Sequence, residues 1–165
     1  MLKRRILLVD DEVAVLLTLK AVLEINGFVV ETAASAKEAK LKLRSHEYNM
    51  VITDMRMESD DAGTDVARAA QAALYQPAIA LLTAFPQAEE DWREMGADEM
   101  LVKPMHTQLL VQQLEAMLVA HEDKKQNKKR NGLALAAMAA SKTAAGKAGP
   151  ARATKSTASK AARSS

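Results

Sequence analysis

The chain has 165 residues, no cysteine and a formal net charge of +2, which allows one ordinary domain with an appendage and excludes disulfides and thiolate metal sites. No apolar stretch approaches the ~20 residues of a membrane-spanning helix, and Lys3-Arg4-Arg5 leads into a short run that reads as a strand, not a signal sequence, so a cytoplasmic protein is expected. All 21 acids fall at or before Asp123 against 12 Lys and Arg, a balance of −9, whereas residues 124–165 carry 11 cations and no acid: an acidic body with a basic tail.

Strand and helix signals alternate along the body. Residues 6–9 (ILLV) suit a buried parallel strand, and the run stops abruptly at Asp10, Asp11 and Glu12. Two unit charges about 4 Å apart repel by roughly 4 kcal/mol at an effective dielectric near 20. Adjacent carboxylates therefore need either water or a partner, and capping the next helix is the simplest use for them. Residues 13–25 predict that helix, stopped by Asn26-Gly27, and residues 28–32 predict a strand. Ser35, with Glu38 three residues on, predicts a capping box. The helix it opens has Ala36, Ala39 and Leu43 on one face, with Lys37, Lys40 and Arg44 elsewhere.

Residues 48–53 (YNMVIT) form the next strand, which ends at Asp54. A polar loop, MRMESDDAG, leads into a helix with Val66, Ala70, Ala73 and Leu74 facing inward. Pro77 opens a strand ending at Thr83, and residues 86–95 predict a helix that stops before Gly96. A short strand over 100–102 ends at Lys103-Pro104, and a last helix places Leu110, Leu114, Met117 and Leu118 on one side.

Five strands alternating with five helices predict an α/β, flavodoxin-like doubly wound fold, with a five-stranded parallel sheet in the order 2-1-3-4-5. Chemistry in such sheets gathers beyond the carboxyl ends of the strands, where this sequence places Asp10, Asp11, Asp54, Thr83 and Lys103. Converging carboxylates call for a cation. Oxygen-only ligands suit Mg²⁺ (or Mn²⁺), which takes one or two carboxylates, waters and phosphate oxygens. A lysine can clamp a phosphoryl group, and a threonine hydroxyl can donate to one. The chemistry so assembled is phosphoryl transfer onto a carboxylate, with Asp54 as nucleophile.

The carriers are VDDE at 9–12, VITDMRM at 51–57, LLTA at 81–84 and LVKP at 101–104, each at a strand end. With them the body, to about His121, resembles a response-regulator receiver domain of two-component signalling. The resemblance implies that Asp54 takes a phosphoryl group from a histidine kinase or phosphotransfer protein. It implies that Asp11, Asp54 and the backbone carbonyl of Arg56 bind Mg²⁺, with Asp10 acting through water. Lys103 would contact the phosphoryl group, Thr83 would swing toward it, and Ala84 would leave room for it. Pro104 would follow a cis peptide bond. The protein would be a switch, not an enzyme, read by a partner at its fourth helix, fifth strand and fifth helix. A phosphatase would want a second acid two residues after Asp54, where Arg56 stands.

Three departures from the family pattern matter. Glu58 replaces a common proline, in a loop one residue longer before Gly63, which predicts a more mobile and more acidic loop. Met100 replaces an aromatic residue that turns with the threonine, and an unbranched thioether repacks readily, so coupling there is looser. Arg56 and Phe85 flank the path of an attacking water, and their bulk predicts a long-lived acyl phosphate.

From Lys124 the composition shifts to Ala, Lys, Ser and Thr with no aromatic residue. Residues 133–140 (LALAAMAA) suit a short helix, and the rest lacks the apolar content to offset ordering entropy, so disorder is expected. The last stretch resembles, in composition, the tails of linker histones. Lys124, Lys125, Lys128, Lys129 and Arg130 are the candidate phosphate contacts, giving a second reading of the chain as a nucleic-acid-associated protein that binds DNA or RNA non-specifically. Folding of this tail back onto the acidic body is the other use its charge allows.

Overall fold

The architecture starts from alternation along one strand. In the computed structural model, which describes residues 2–85 and 89–145, β1 (Arg5–Val9) sends Ile6 and Leu8 to one face and Leu7 and Val9 to the other. All four are fully buried, so the sheet is covered on both sides. β2 (Val29–Ala33), β3 (Met50–Asp54), β4 (Ala78–Thr83) and β5 (Glu99–Val102) join it in an all-parallel sheet of order β2-β1-β3-β4-β5. This is the expected doubly wound fold.

One face is closed by α1 (Val13–Ile25), through Leu16 and Leu23, and by α5 (Thr107–Ala145), through Leu110, Leu114 and Leu118. The other is closed by α2 (Ala36–Ser45), α3 (Ala62–Ala72) and α4 (Glu89–Glu94), the last through Trp92. Ala36, Ala39, Ala67 and Ala70 are all buried here, and their small side chains let α2 and α3 sit close together. The helix ends follow local chemistry. Ser35 accepts from the Glu38 amide at 3.1 Å while Glu38 returns a carboxylate to the Ala34 amide at 2.9 Å. Gly27, at φ +91°, supplies the left-handed residue that ends α1.

Two sequence expectations fail on packing grounds. α3 stops at Ala72, so Ala73 turns into extended backbone and Leu74 is wholly exposed. Tyr75 packs against the core instead, because Pro77 forces the chain out of helix before β4. Disorder over residues 124–145, with a short helix over 133–140, is the second. α5 runs unbroken to Ala145. Residues 124–145 contain no proline and one glycine, Gly132, and are otherwise mostly good helix formers. Lacking a core, they can still propagate a helix whose costly first turns are packed against the sheet. The predicted helix residues 86–88 and the tail beyond Ala145 lie outside the described residues. By contacts the chain divides after Lys124 into two units, and the second is considered by itself below.

Glu31 of β2 accepts from the Tyr48 hydroxyl at 2.7 Å and from the Arg5 guanidinium. Burial pushes its carboxyl up, but these bonds and the Arg5 charge outweigh burial and hold it below the ordinary value of 4.5. A depressed carboxylate stabilises the fold above its unfolded-state pKa and loses that contribution as pH falls through its folded value. Glu31→Gln is therefore expected to cost about 1 kcal/mol in denaturant unfolding at neutral pH. The gap between variant and parent should close below pH 4.5.

Candidate functional site

Strand register brings the polar residues together. Val9 lies opposite Thr53, so Asp10 and Asp54, the next residues, emerge side by side from β1 and β3. Thr83 ends β4 opposite Val102, and the Lys103 amide donates to the Thr83 carbonyl at 2.7 Å. The Lys103-Pro104 peptide is cis. From that position Lys103 Nζ reaches 3.0 Å from Asp10 Oδ2 and 3.3 Å from Asp54 Oδ2. Asp10 is fully buried and Asp54 is 8% exposed, while Asp11 stands at the surface.

Charge is out of balance here. Three carboxylates face one ammonium, and burial pushes the Asp54 carboxyl above its ordinary range; Lys103 opposes that push and Asp10 adds to it. Burial also works against the Lys103 ammonium, but its bonds to Asp10 and Asp54 outweigh burial and raise its pKa. Two excess negative charges are what a divalent cation would offset. One oxygen from each of Asp10, Asp11 and Asp54 lies within 4.8 Å of the others. Ligands of a Mg²⁺ ion at 2.0–2.1 Å lie at most about 4.2 Å apart, so a slight closure suffices and the donor set fits a hard ion. Little of this cluster caps α1: Asp10 Oδ1 accepts from the Glu12 amide at 2.9 Å, but the N-cap residue Glu12 makes no side-chain cap bond.

The Thr83 hydroxyl is bonded to Phe85. It accepts from the Phe85 amide at 3.1 Å and donates to the Phe85 carbonyl at 3.0 Å, so it is turned toward the β4–α4 loop. The Arg56 guanidinium lies 5.8 Å from the centre of the Phe85 ring, with Nε 3.9 Å from Asp60 Oδ1. Met100, opposite Leu81 on β5, packs against the core beneath α3 and α4. Lys125, Lys128, Lys129 and Arg130 belong to the second unit.

Two residues act in ways the sequence only hinted at. A Cβ on Gly63 would meet the Asp54 carbonyl oxygen at 2.3 Å and the Met55 Cα at 2.5 Å. Its amide donates to the Met55 carbonyl at 3.1 Å, so the start of α3 is pressed directly on the backbone carrying Asp54. A glycine just past a loop is visible in sequence; the approach of two backbones is not. Glu58, in the longer loop, accepts from the Ala36 amide at 2.8 Å and so ties that loop to the first turn of α2.

The model of the response regulator receiver domain family matches residues 6–115. This chain belongs to that family. Such domains are the receivers of two-component signalling. The alginate biosynthesis transcriptional regulatory protein AlgB of Pseudomonas aeruginosa is 35% identical over 130 residues, covering 72% of this chain and 29% of AlgB. The CpxR homolog of Haemophilus influenzae is 33% identical, covering 69% and 50%. The chain thus spans half or less of these relatives. A CheY-like receiver from Methanospirillum hungatei matches with a TM-score of 0.68 at 28% identity, over 74% of this chain and 99% of that one. The Thermotoga maritima response regulator TrrA, solved with Mg²⁺ and BeF, matches at a TM-score of 0.62 and 32% identity, over 69% and 98%.

Gly63→Ala is expected to lower stability by about 1–3 kcal/mol, since backbone must shift to admit the methyl. Ala62→Gly, one residue earlier, lacks that collision and serves as the comparison in denaturant unfolding.

Proposed function

We propose that this receiver is a phosphoacceptor switch whose Asp54 takes a phosphoryl group from a phosphohistidine of a histidine kinase or phosphotransfer protein in the cytoplasm. The observation that carries the reading is the Lys103 ammonium set between two buried carboxylates beside a third, at the carboxyl end of the sheet. Lys103 engages Oδ2 of Asp54, which leaves Oδ1 to attack phosphorus in line. The P–N bond breaks as the new P–O bond forms, and the electron pair stays on the departing imidazole nitrogen. Asp10, Asp11, Asp54 and the Arg56 carbonyl would hold Mg²⁺, which supplies charge neutralisation for the transferring oxygens. TrrA, a relative of the same fold, was solved with Mg²⁺ and BeF, which supports that assignment.

After transfer, Lys103 pairs with a phosphoryl oxygen, and Thr83 can donate to another only by giving up the bond it donates to the Phe85 carbonyl. The loop it held is then free to settle differently. A partner that prefers the new arrangement reads it, and the signal is as large as that preference. Met100 is the pliable packing element of this change, and the face of α4, β5 and α5 is where the partner would bind.

Labelling with acetyl phosphate tests the reading. The parent chain should take up phosphate only with Mg²⁺ or Mn²⁺, and Asp54→Asn should abolish uptake. Labelling that survives either a chelator or Asp54→Asn overturns the proposal.

The bulk of Arg56 and Phe85 at the mouth bears on the lifetime of the product. Arg56→Asn with Phe85→Glu should speed loss of label by about tenfold, equivalent to about 1.4 kcal/mol in the barrier. An unchanged rate removes the shielding role.

A further inference from the structure

We infer that the second unit of the chain, in its helical stretch from Lys125 to Ala145, lies flat on an anionic lipid surface with one apolar side in the interface. The residues concerned are separate in the chain from the phosphoacceptor site, and neither role requires the other.

Every residue from Lys125 to Ala144 is exposed. At 3.6 residues per turn, Leu133, Ala137, Ala134 and Met138 fall within an arc of about 140°. Leu133 is 63% and Met138 66% exposed, so two large apolar side chains on that arc stand in water. Ser141 falls between them around the helix, and its hydroxyl donates to the Met138 carbonyl at 3.1 Å, so its polar group is already satisfied within the helix. Lys128, Lys129 and Lys142 all lie more than about 100° from the centre of the arc. Leu135 lies about 60° beyond Met138, at the margin. Arg130, a turn before Leu133, falls over the apolar side. Its guanidinium is bonded to Asn127 Oδ1 at 2.7 Å, and its carbon stem can lie in an interface while the charge stays at headgroup level.

A helix with an apolar side and a cationic one fits a partner that offers both properties. Anionic headgroups over acyl chains do so within about 5–10 Å. Residues 125–165 contain no Asp or Glu, so no carboxylate in this stretch is repelled by such a surface. A nucleic-acid backbone would meet the lysines and leave Leu133 and Met138 in water, and the stretch has no aromatic residue on which bases could stack. Protein hot spots favour Trp, Tyr and Arg, which the alanines of the apolar side do not replace. Among the described residues no helix is long and apolar enough to cross a membrane. The uncharged run over 131–141 covers only about 16 Å of helix, against a hydrocarbon core of ~30 Å. Lying along the interface is the arrangement left to it.

Flotation of the full chain with vesicles of equal parts phosphatidylglycerol and phosphatidylcholine tests the inference, with a short labelled duplex DNA as the competing ligand. The chain should bind the vesicles, and Lys128→Gln/Lys129→Gln/Lys142→Gln should weaken binding roughly 100-fold, near fivefold per cation. Leu133→Gln/Met138→Gln should weaken it at least about tenfold, with circular dichroism checking that helicity is kept. Ala137→Leu, on the apolar side, should tighten binding about tenfold, whereas Ala136→Leu, on the lysine side, should leave it nearly unchanged. Leucine is a strong helix former, so neither of these two endangers the helix. Four results overturn the inference: no binding to the vesicles at low salt, parent affinity in Leu133→Gln/Met138→Gln, the same affinity in the two leucine variants, or tighter binding to the duplex than to the vesicles.

Discussion

Everything at the site depends on a single ammonium placed between two buried carboxylates. Lys103 can stand there because β5 is registered against β4 and β4 against β3, so residues far apart in sequence finish at one level. Without that ammonium, Asp10 and Asp54 would be two buried like charges, and neither could stay ionised cheaply. With it, the cluster still carries more negative charge than it can offset internally. Excess negative charge of that kind suits a divalent cation. Burial, with a further push from Asp10, holds the Asp54 carboxyl above its ordinary range even beside a lysine.

The surroundings convert that local imbalance into a connected device. Thr83 holds Phe85 by both backbone groups, the Phe85 ring carries the Arg56 guanidinium, and Arg56 reaches Asp60. Two loops from different strands are thereby joined across the mouth of the pocket. An exposed cation–π contact contributes only about 0.5–1 kcal/mol, and each hydrogen bond about as much. Bonds of that size hold an arrangement without locking it. On the other side of the pocket, Glu58 fastens the β3–α3 loop to α2, and Gly63 seats α3 on the Asp54 backbone.

Much of this was legible in order of residues alone. Continuous apolar runs ending in Asp10, Asp54, Thr83 and Lys103 specify strands covered on both faces and place polar groups at the carboxyl end of a parallel sheet. The capping box at Ser35 and Glu38 is local chemistry and formed much as expected, with the carboxylate reaching the Ala34 amide. Leu74 and residues 124–145 were misjudged for opposite reasons. At Leu74 the helical period continues in sequence, but the turn before Pro77 ends the helix first. In the tail, composition speaks for disorder, yet a helix already nucleated by packing extends through residues that merely tolerate it.

By itself the sequence determined the element order, the two-sided core and the set of side chains available for chemistry, because hydrophobic period and capping act over a few neighbouring residues. Only tertiary structure decided which carboxylate oxygens share the lysine, where the Thr83 hydroxyl turns, and why residue 63 can carry no side chain. Those depend on strand register and on backbone-to-backbone distance, which have no local signature along the chain.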